Sequence, residues 1–182
     1  MIHTIETDRL VLRPFQPADF TNYVEQHHSR LPSQHPYDEG RVDLSTFTQE
    51  FFNHKIDKYN TMAADDTIYV WGIFRKSDGR HLGHVDLLIL MRSDTQWALI
   101  GYEIHNQFWK HGYGKESVKA IIDLSFEKMK LHRIEAQINL DNHTSVRLAE
   151  SVGMSYECTR KGLIHENGEW TDHLIYYINA CN

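Results

Sequence analysis

Cysteine is scarce in this chain. Cys158 and Cys181 are the only two, and no Cys-x-x-Cys pair exists. That scarcity excludes a disulfide framework and a thiolate metal knuckle, and it points to a reducing, cytoplasmic setting. Long apolar runs are missing as well. The longest, Leu87 to Met91, is the size of a strand and far short of the roughly 20 residues that cross a bilayer. Glu6, Asp8 and Arg9 leave no apolar stretch near the start, so no signal peptide and no membrane association are expected. Excess positive charge is absent too. Lysine and arginine number 19 against 25 acidic residues, a formal charge of −6 that argues against a nucleic-acid surface. Thirteen histidines invite a metal, yet none stands at His-x-x-x-His or His-Glu-x-x-His spacing. No metal site is expected, and the histidines read as mostly surface residues.

What is present suits one packed core: 41% hydrophobic and 12% aromatic residues, with no linker, repeat or low-complexity tract. Residues 1–182 read as a single domain. Thr7 to Phe15 alternates as a first strand, and Pro17-Ala18-Asp19 starts a helix carrying Phe20, Tyr23 and Val24. Residues 29–43, with Pro32, Pro36 and Gly40, form a loop, and a second helix runs from Leu44 to about Ala64. Thr67–Arg75, Leu82–Met91 and Trp97–His105 then make a three-strand meander. A helix spans Val118 to Met129, Ile134–Leu140 is a fifth strand, and a short helix from His143 to Val152 stops at Gly153. Two last strands, Met154–Arg160 and Trp170–Ile178, flank Asn167-Gly168, a hairpin dipeptide. The order implies an α/β sheet of mixed direction.

Between the fourth strand and the third helix lies Trp109-Lys110-His111-Gly112-Tyr113-Gly114-Lys115-Glu116-Ser117. Gly112 and Gly114 let the backbone approach an anion closely, and the helix beyond them aims its unpaired N–H groups at the same spot. Such a loop can hold a pyrophosphate. It lacks the third glycine of Gly-x-Gly-x-x-Gly and the Lys-Ser/Thr pair of a Walker loop, and it comes after four strands rather than one. A Rossmann or P-loop nucleotide enzyme is therefore set aside.

Three segments carry a resemblance. Glu6-Thr7-Asp8-Arg9-Leu10-Val11-Leu12-Arg13 resembles an "ETERLxLR" first strand. Ile100-Gly101-Tyr102-Glu103-Ile104, continued through Phe108 to Ser117, resembles "IGYxI…yWgkGYatEA". Asp141-Asn142-His143-Thr144-Ser145 with Gly153-Met154 resembles "eNxxSxxxxxxxGF". Together they are similar to the GNAT superfamily of N-acetyltransferases, and within it to the RimJ/RimL-type ribosomal-protein N-terminal (serine/alanine) acetyltransferases. Trp109, where the superfamily commonly has Gln or Arg, is in keeping with that group. The resemblance implies a mixed, mostly antiparallel sheet of about seven strands with helices on both faces, splayed between strands four and five. It also implies acetyl-CoA as co-substrate. Tyr102, Glu103 and Ile104 would bond the pantetheine through their main chains. Lys110, His111, Gly112, Tyr113, Gly114 and Lys115 would wrap the pyrophosphate, with Lys119 adding charge that Glu116 partly offsets. Dimers are familiar among such proteins, so a homodimer is an expectation.

The chemistry needs a neutral amine, a polarised thioester and a proton for the departing thiolate. Asn142 either bonds the cofactor or caps the helix after it, and the two roles are compatible. Many relatives place a tyrosine acid seven residues after this asparagine, where Ala149 stands here. Ser145 matches the serine of RimL-like sequences and is the expected acid; the alternative is a helix-terminal serine bonded to backbone. A strand-five glutamate used by some relatives is replaced by Gln137, which leaves Glu103 as the candidate base or else a plain solvent-facing residue. His105, His165 and Glu166 are further options through water. An α-amine costs about 1 kcal/mol to deprotonate at pH 7 and a lysine roughly 4–5, so a site without a strong base fits a protein N-terminus better. The alternatives are a small-molecule amine as acceptor, or an idle acyl-CoA-binding module.

Overall fold

The computed structural model describes residues 3–181. Thr7 folds the first segment back on itself. Its amide donates to the Leu10 carbonyl at 3.0 Å, and its hydroxyl accepts from the Leu10 amide at 3.0 Å. The expected first strand is therefore two, β1 (Ile5–Glu6) and β2 (Leu10–Arg13), and the sheet has eight strands rather than seven. After a 3-10 turn at Pro17–Asp19 comes α1 (Phe20–His28). The second helix, α2 (Gln49–Ala64), starts later than the apolar spacing suggests because Thr48 is its cap: the Thr48 hydroxyl accepts from the Phe51 amide at 3.3 Å. Leu44 and Phe47 precede it in a turn, yet still pack on the same core.

The meander is β3 (Ile68–Arg75), β4 (His81–Met91) and β5 (Trp97–Ile104). Then come α3 (Tyr113–Glu127), β6 (Arg133–Asn139) and α4 (His143–Ser151). The final hairpin is β7 (Ser155–Glu166) and β8 (Glu169–Asn179), turned by Asn167 and Gly168 at φ 51° and 87°. β7 runs past Arg160 to Glu166 with two register shifts, which is why alternation fades in its second half.

Strand order is β1-β2-β3-β4-β5-β6-β8-β7, antiparallel throughout except for the β5–β6 pair. Alternation divides the sheet's residues between two cores. Leu12, Ile73, Val85, Ile100 and Ile134 face α3 and α4. Phe15, Val70 and Phe74 face α1 and α2, where Tyr23, Phe52 and Ile56 cover them. Phe52 has no exposed surface, so Phe52→Ala would cost about 3–5 kcal/mol.

The β3–β4 ladder is broken by one bulge. Phe74 pairs with His81 and Ile73 with Gly83, so Leu82 is an extra residue on the β4 side. The bulge sends Leu82 into the α3 core and turns His81 towards Phe15 and Tyr23 on the other face. Only glycine fits at 83: its φ is +146°, and a Cβ there would stand 2.0 Å from the Glu103 carbonyl.

Candidate active site

The parallel pair β5–β6 is short. Trp97, Ala98 and Leu99 pair with Arg133, Ile134 and Glu135, and then the strands part. From Ile100 to Ile104, β5 has β4 on one side and a gap on the other, while β6 continues against β8. A cleft through the middle of the sheet results. At its outer end stands the glycine loop. Lys110 and Gly112 take left-handed backbones at φ 64° and 80°, and Gly112 caps the fifteen-residue α3. The first-turn amides of α3 lack intrahelical acceptors and carry the helix's partial positive charge.

The surroundings of this loop were only partly legible. Trp109 bolts it to the sheet: its indole N–H donates to the Ile104 carbonyl at 2.6 Å. One acceptor position expected to meet pantetheine is thereby engaged, leaving that oxygen its second lone pair. His111 stays exposed, with Nδ1 2.7 Å from the Trp109 carbonyl and its ring stacked on Tyr113. Glu116 does not offset the loop's charge freely, because Thr7 and Arg9 hold it. Thr7 Oγ1 donates to Oε1 at 2.5 Å and Arg9 Nε to Oε2 at 2.7 Å. Burial pushes this carboxyl up, but those hydrogen bonds outweigh it and hold it below the usual range. Arg9 also donates to the His111 carbonyl at 2.9 Å and lies over the Tyr113 ring. Its charge is paired with Glu116, so Arg9 buttresses the loop while exposed Lys110 and Lys115 are its cations; the first-strand motif contained this residue but did not announce the role. Lys119 is a correction: it pairs with Asp123 one turn further on.

At the inner end of the cleft, Asn142 caps α4, its Oδ1 accepting from the Ser145 amide at 3.2 Å. Its Nδ2 remains a donor. Ser145 Oγ donates to the Tyr102 hydroxyl at 2.9 Å, and that hydroxyl donates to the Ser145 carbonyl at 3.2 Å. The fold thus brings a phenol to Ser145 from β5, where helix spacing leaves Ala149. Burial raises the Tyr102 pKa, so it relays better than it ionises.

On the opposite face, register places His84 beside Glu103 and Asp86 beside Gly101. Glu103 does face away from Tyr102 and Ile104, but not into open solvent. Buried Arg30 sets Nη1 2.6 Å from its Oε1, a contact of charges rather than an aligned hydrogen bond. His84 lies 3.8 Å from both Glu103 and Asp86. Burial pushes the Asp86 carboxyl above its ordinary value, with His84 opposing. Asp86 lies over Gly101: a Cβ there would be 2.6 Å from Oδ1. The missing side chain lets the carboxylate lean across β5 towards the cleft. The alternation in His84-Val85-Asp86 was the available signal. Of the other candidates, Glu166 accepts from Asn139 at 2.7 Å, and exposed His165 packs on Trp170. His105 is buried, with its ring against those of His27 and His81.

The loop after α1 closes over this region. His35 stacks on Trp109 with ring centroids 5.3 Å apart, and the Tyr37 hydroxyl donates to Asp141, raising Tyr37 to about 12. Asn106 anchors the strap, accepting from the Leu31 amide at 2.7 Å and donating to Asp38 at 2.9 Å.

Residues 9–155 match the family model described as an acetyltransferase (GNAT) domain. YjcK of Bacillus subtilis (strain 168), named a probable N-acetyltransferase, is 34% identical over 132 residues, covering 72% of this chain and 73% of that one. The [ribosomal protein uS5]-alanine N-acetyltransferase of Escherichia coli (strain K12) is 23% identical over 94% of this chain and 88% of its own length. Among solved structures, Mycobacterium smegmatis RimJ in complex with CoA-disulfide superposes with a TM-score of 0.78, at 19% identity over 98% of this chain and 87% of that one. At that identity the likeness speaks for the fold.

Proposed function

The chain belongs to the GNAT acetyltransferase family and is an N-acetyltransferase, and from that premise we propose that it acetylates the N-terminal α-amine of a protein, ribosomal in the manner of its RimJ/RimL-like relatives. The observation that carries this reading is the cleft itself. It offers an unpaired β5 edge for an amide-bearing arm, α3 amides with Lys110 and Lys115 for a diphosphate, and a hydroxyl pair where the arm's sulfur would end.

In this reading the amine nitrogen attacks the thioester carbon. The N–C bond forms, the C–S bond breaks, and sulfur leaves as thiolate. Ser145 Oγ gives the thiolate its proton, the Tyr102 hydroxyl rotates to donate a hydrogen bond to the serine oxygen, and water returns a proton to Ser145 as the products leave. Asp86 takes the proton that the amine sheds, by hydrogen bond or through one water. Its raised pKa suits that task better than Glu103, which any amine would have to win from Arg30. No group here is equipped to discharge a free lysine, so an α-amine remains the acceptor of choice. One observation favours a second reading: Asp86 and Glu103 together would attract a small polyamine. The test is thiol release from acetyl-CoA with ribosomal N-terminal peptides, in parallel with polyamines and amino acids, and mass spectrometry to locate the acetyl group. Acetylated α-amines support the proposal. Acetylated polyamines alone replace it, and tight CoA binding without turnover would make the chain an acyl-CoA-binding module.

A further inference from the structure

Three histidines far apart in sequence meet inside the fold. His27 comes from the last turn of α1, His81 from the bulged start of β4, and His105 from the residue just past β5. All three are buried, and each offers a ring nitrogen within 4.8 Å of the others. Their spacing in sequence hides them, because the short-range patterns that betray zinc sites assume two ligands on one element. The β4 bulge is what brings His81 onto this face.

We propose that His27, His81 and His105 bind a zinc ion that ties α1 to β4 and β5. Two observations support it independently of the clustering. First, His27 Nδ1 lies 2.7 Å from the Tyr23 carbonyl. That contact needs the proton on Nδ1 and leaves a lone pair on Nε2, so the ring keeps one unprotonated nitrogen for a metal, as a carbonyl partner does for a metal-bound imidazole. Second, the cluster contains orphans. Both ring nitrogens of His81 and Nδ1 of His105 are buried without a hydrogen-bond partner, although each ring is only 1% exposed. The Gly83 backbone approaches His81 without hydrogen-bond alignment. Unpartnered nitrogens at this depth are costly, and a cation would satisfy one lone pair on each ring.

The electrostatics permit it. Burial keeps all three rings neutral at pH 7, as ligation requires. Arg30 stands near enough to oppose a cation, but Glu103 and Asp38 answer its charge. An all-imidazole set suits zinc. Nitrogens about 2.0–2.1 Å from a tetrahedral ion lie roughly 3.4 Å apart, so the rings close in by on the order of 1 Å, with the fourth position left over.

The test uses tag-free protein, unfolded with chelator and refolded with or without equimolar zinc chloride. One zinc per chain should survive gel filtration, and the Tm should rise by about 5–10 °C. Cobalt(II) in place of zinc should give the intense visible bands of a tetrahedral nitrogen site. His105→Phe and His81→Phe should each weaken binding at least about 100-fold, while His165→Gln leaves it intact. Substoichiometric zinc with an unmoved Tm in the wild type overturns the proposal, whether or not the variants fold. So does equal loss of metal in His165→Gln. Neither readout involves acetyl transfer, so this inference and the enzymatic one fail separately.

Discussion

Gly101→Ala separates the geometry of the acceptor face from the stability of the sheet. At this position a Cβ would stand 2.6 Å from Asp86 Oδ1 and 2.8 Å from Oδ2. Those oxygens end a short flexible side chain, so the carboxylate retreats and the backbone need not. Replacing a strand glycine by alanine stabilises by roughly 0.5–1 kcal/mol, which offsets the displacement. The Tm should therefore stay within about 4 °C of wild type. The rate should not. A retreat of about 1 Å is the scale on which a misplaced group costs on the order of 100-fold, so kcat/KM at pH 7 should fall roughly 10- to 100-fold. Calorimetry should show acetyl-CoA affinity unchanged, because the new methyl meets the Asp86 side chain and leaves the β5 backbone, the loop and Ser145 in place. Asp86→Asn should reproduce the loss, and raising the pH should rescue both variants as the acceptor amine discharges itself. If both variants turn over within about threefold of wild type, Asp86 takes no part in proton transfer.

Ser145→Ala should lower kcat about 100-fold with little change in CoA affinity, and unchanged turnover would remove the serine from the chemistry. Gly112→Ala puts a side chain at φ 80°, at a cost of roughly 1–2 kcal/mol. It should weaken CoA binding about tenfold by calorimetry, and unaltered affinity would show that the loop does not hold the diphosphate. His27 makes the fold sensitive to acid. Its ring sits near pKa 4 rather than 6.5, chiefly because burial disfavours the cation. Between those values the unfolded chain takes up a proton that the native chain refuses. Stability from this ring is thus complete above 6.5 and declines as pH falls towards 4, by about 3 kcal/mol. Urea titrations of metal-free protein at several pH values should show that slope, and a flat profile would place the ring in water.

The sequence was most informative where chemistry is local. Periodicity gave the meander and α3, and Asn167-Gly168 marked the last hairpin because both residues accept positive φ. The glycine loop and the Asn142-to-Ser145 stretch kept their spacing because backbone geometry acts over neighbouring residues. What escaped depends on register. Thr7 split one strand into two through a single hydroxyl. Tyr102 reaches Ser145 across 43 positions. Arg30 claims Glu103 from a loop whose composition says only that it is a loop. The histidine trio depends on one inserted residue in β4, which no periodicity records. Four of the thirteen histidines are buried, and no local pattern tells them from the rest.

Under the proposed function, the parting of β5 from β6 ties this protein's endurance to its diet. From Ile100 to Ile104 one side of β5 has no strand partner, and in the proposed function a slender amide-containing chain lies along it. Such a guest completes the architecture as well as delivering its cargo. Native molecules are then favoured by mass action whenever acyl donor is plentiful, by about 2.7 kcal/mol at a concentration a hundredfold above Kd. On that proposal the donor-free polypeptide should be cut faster by a protease than the same polypeptide with acetyl-CoA, a difference that limited proteolysis would measure.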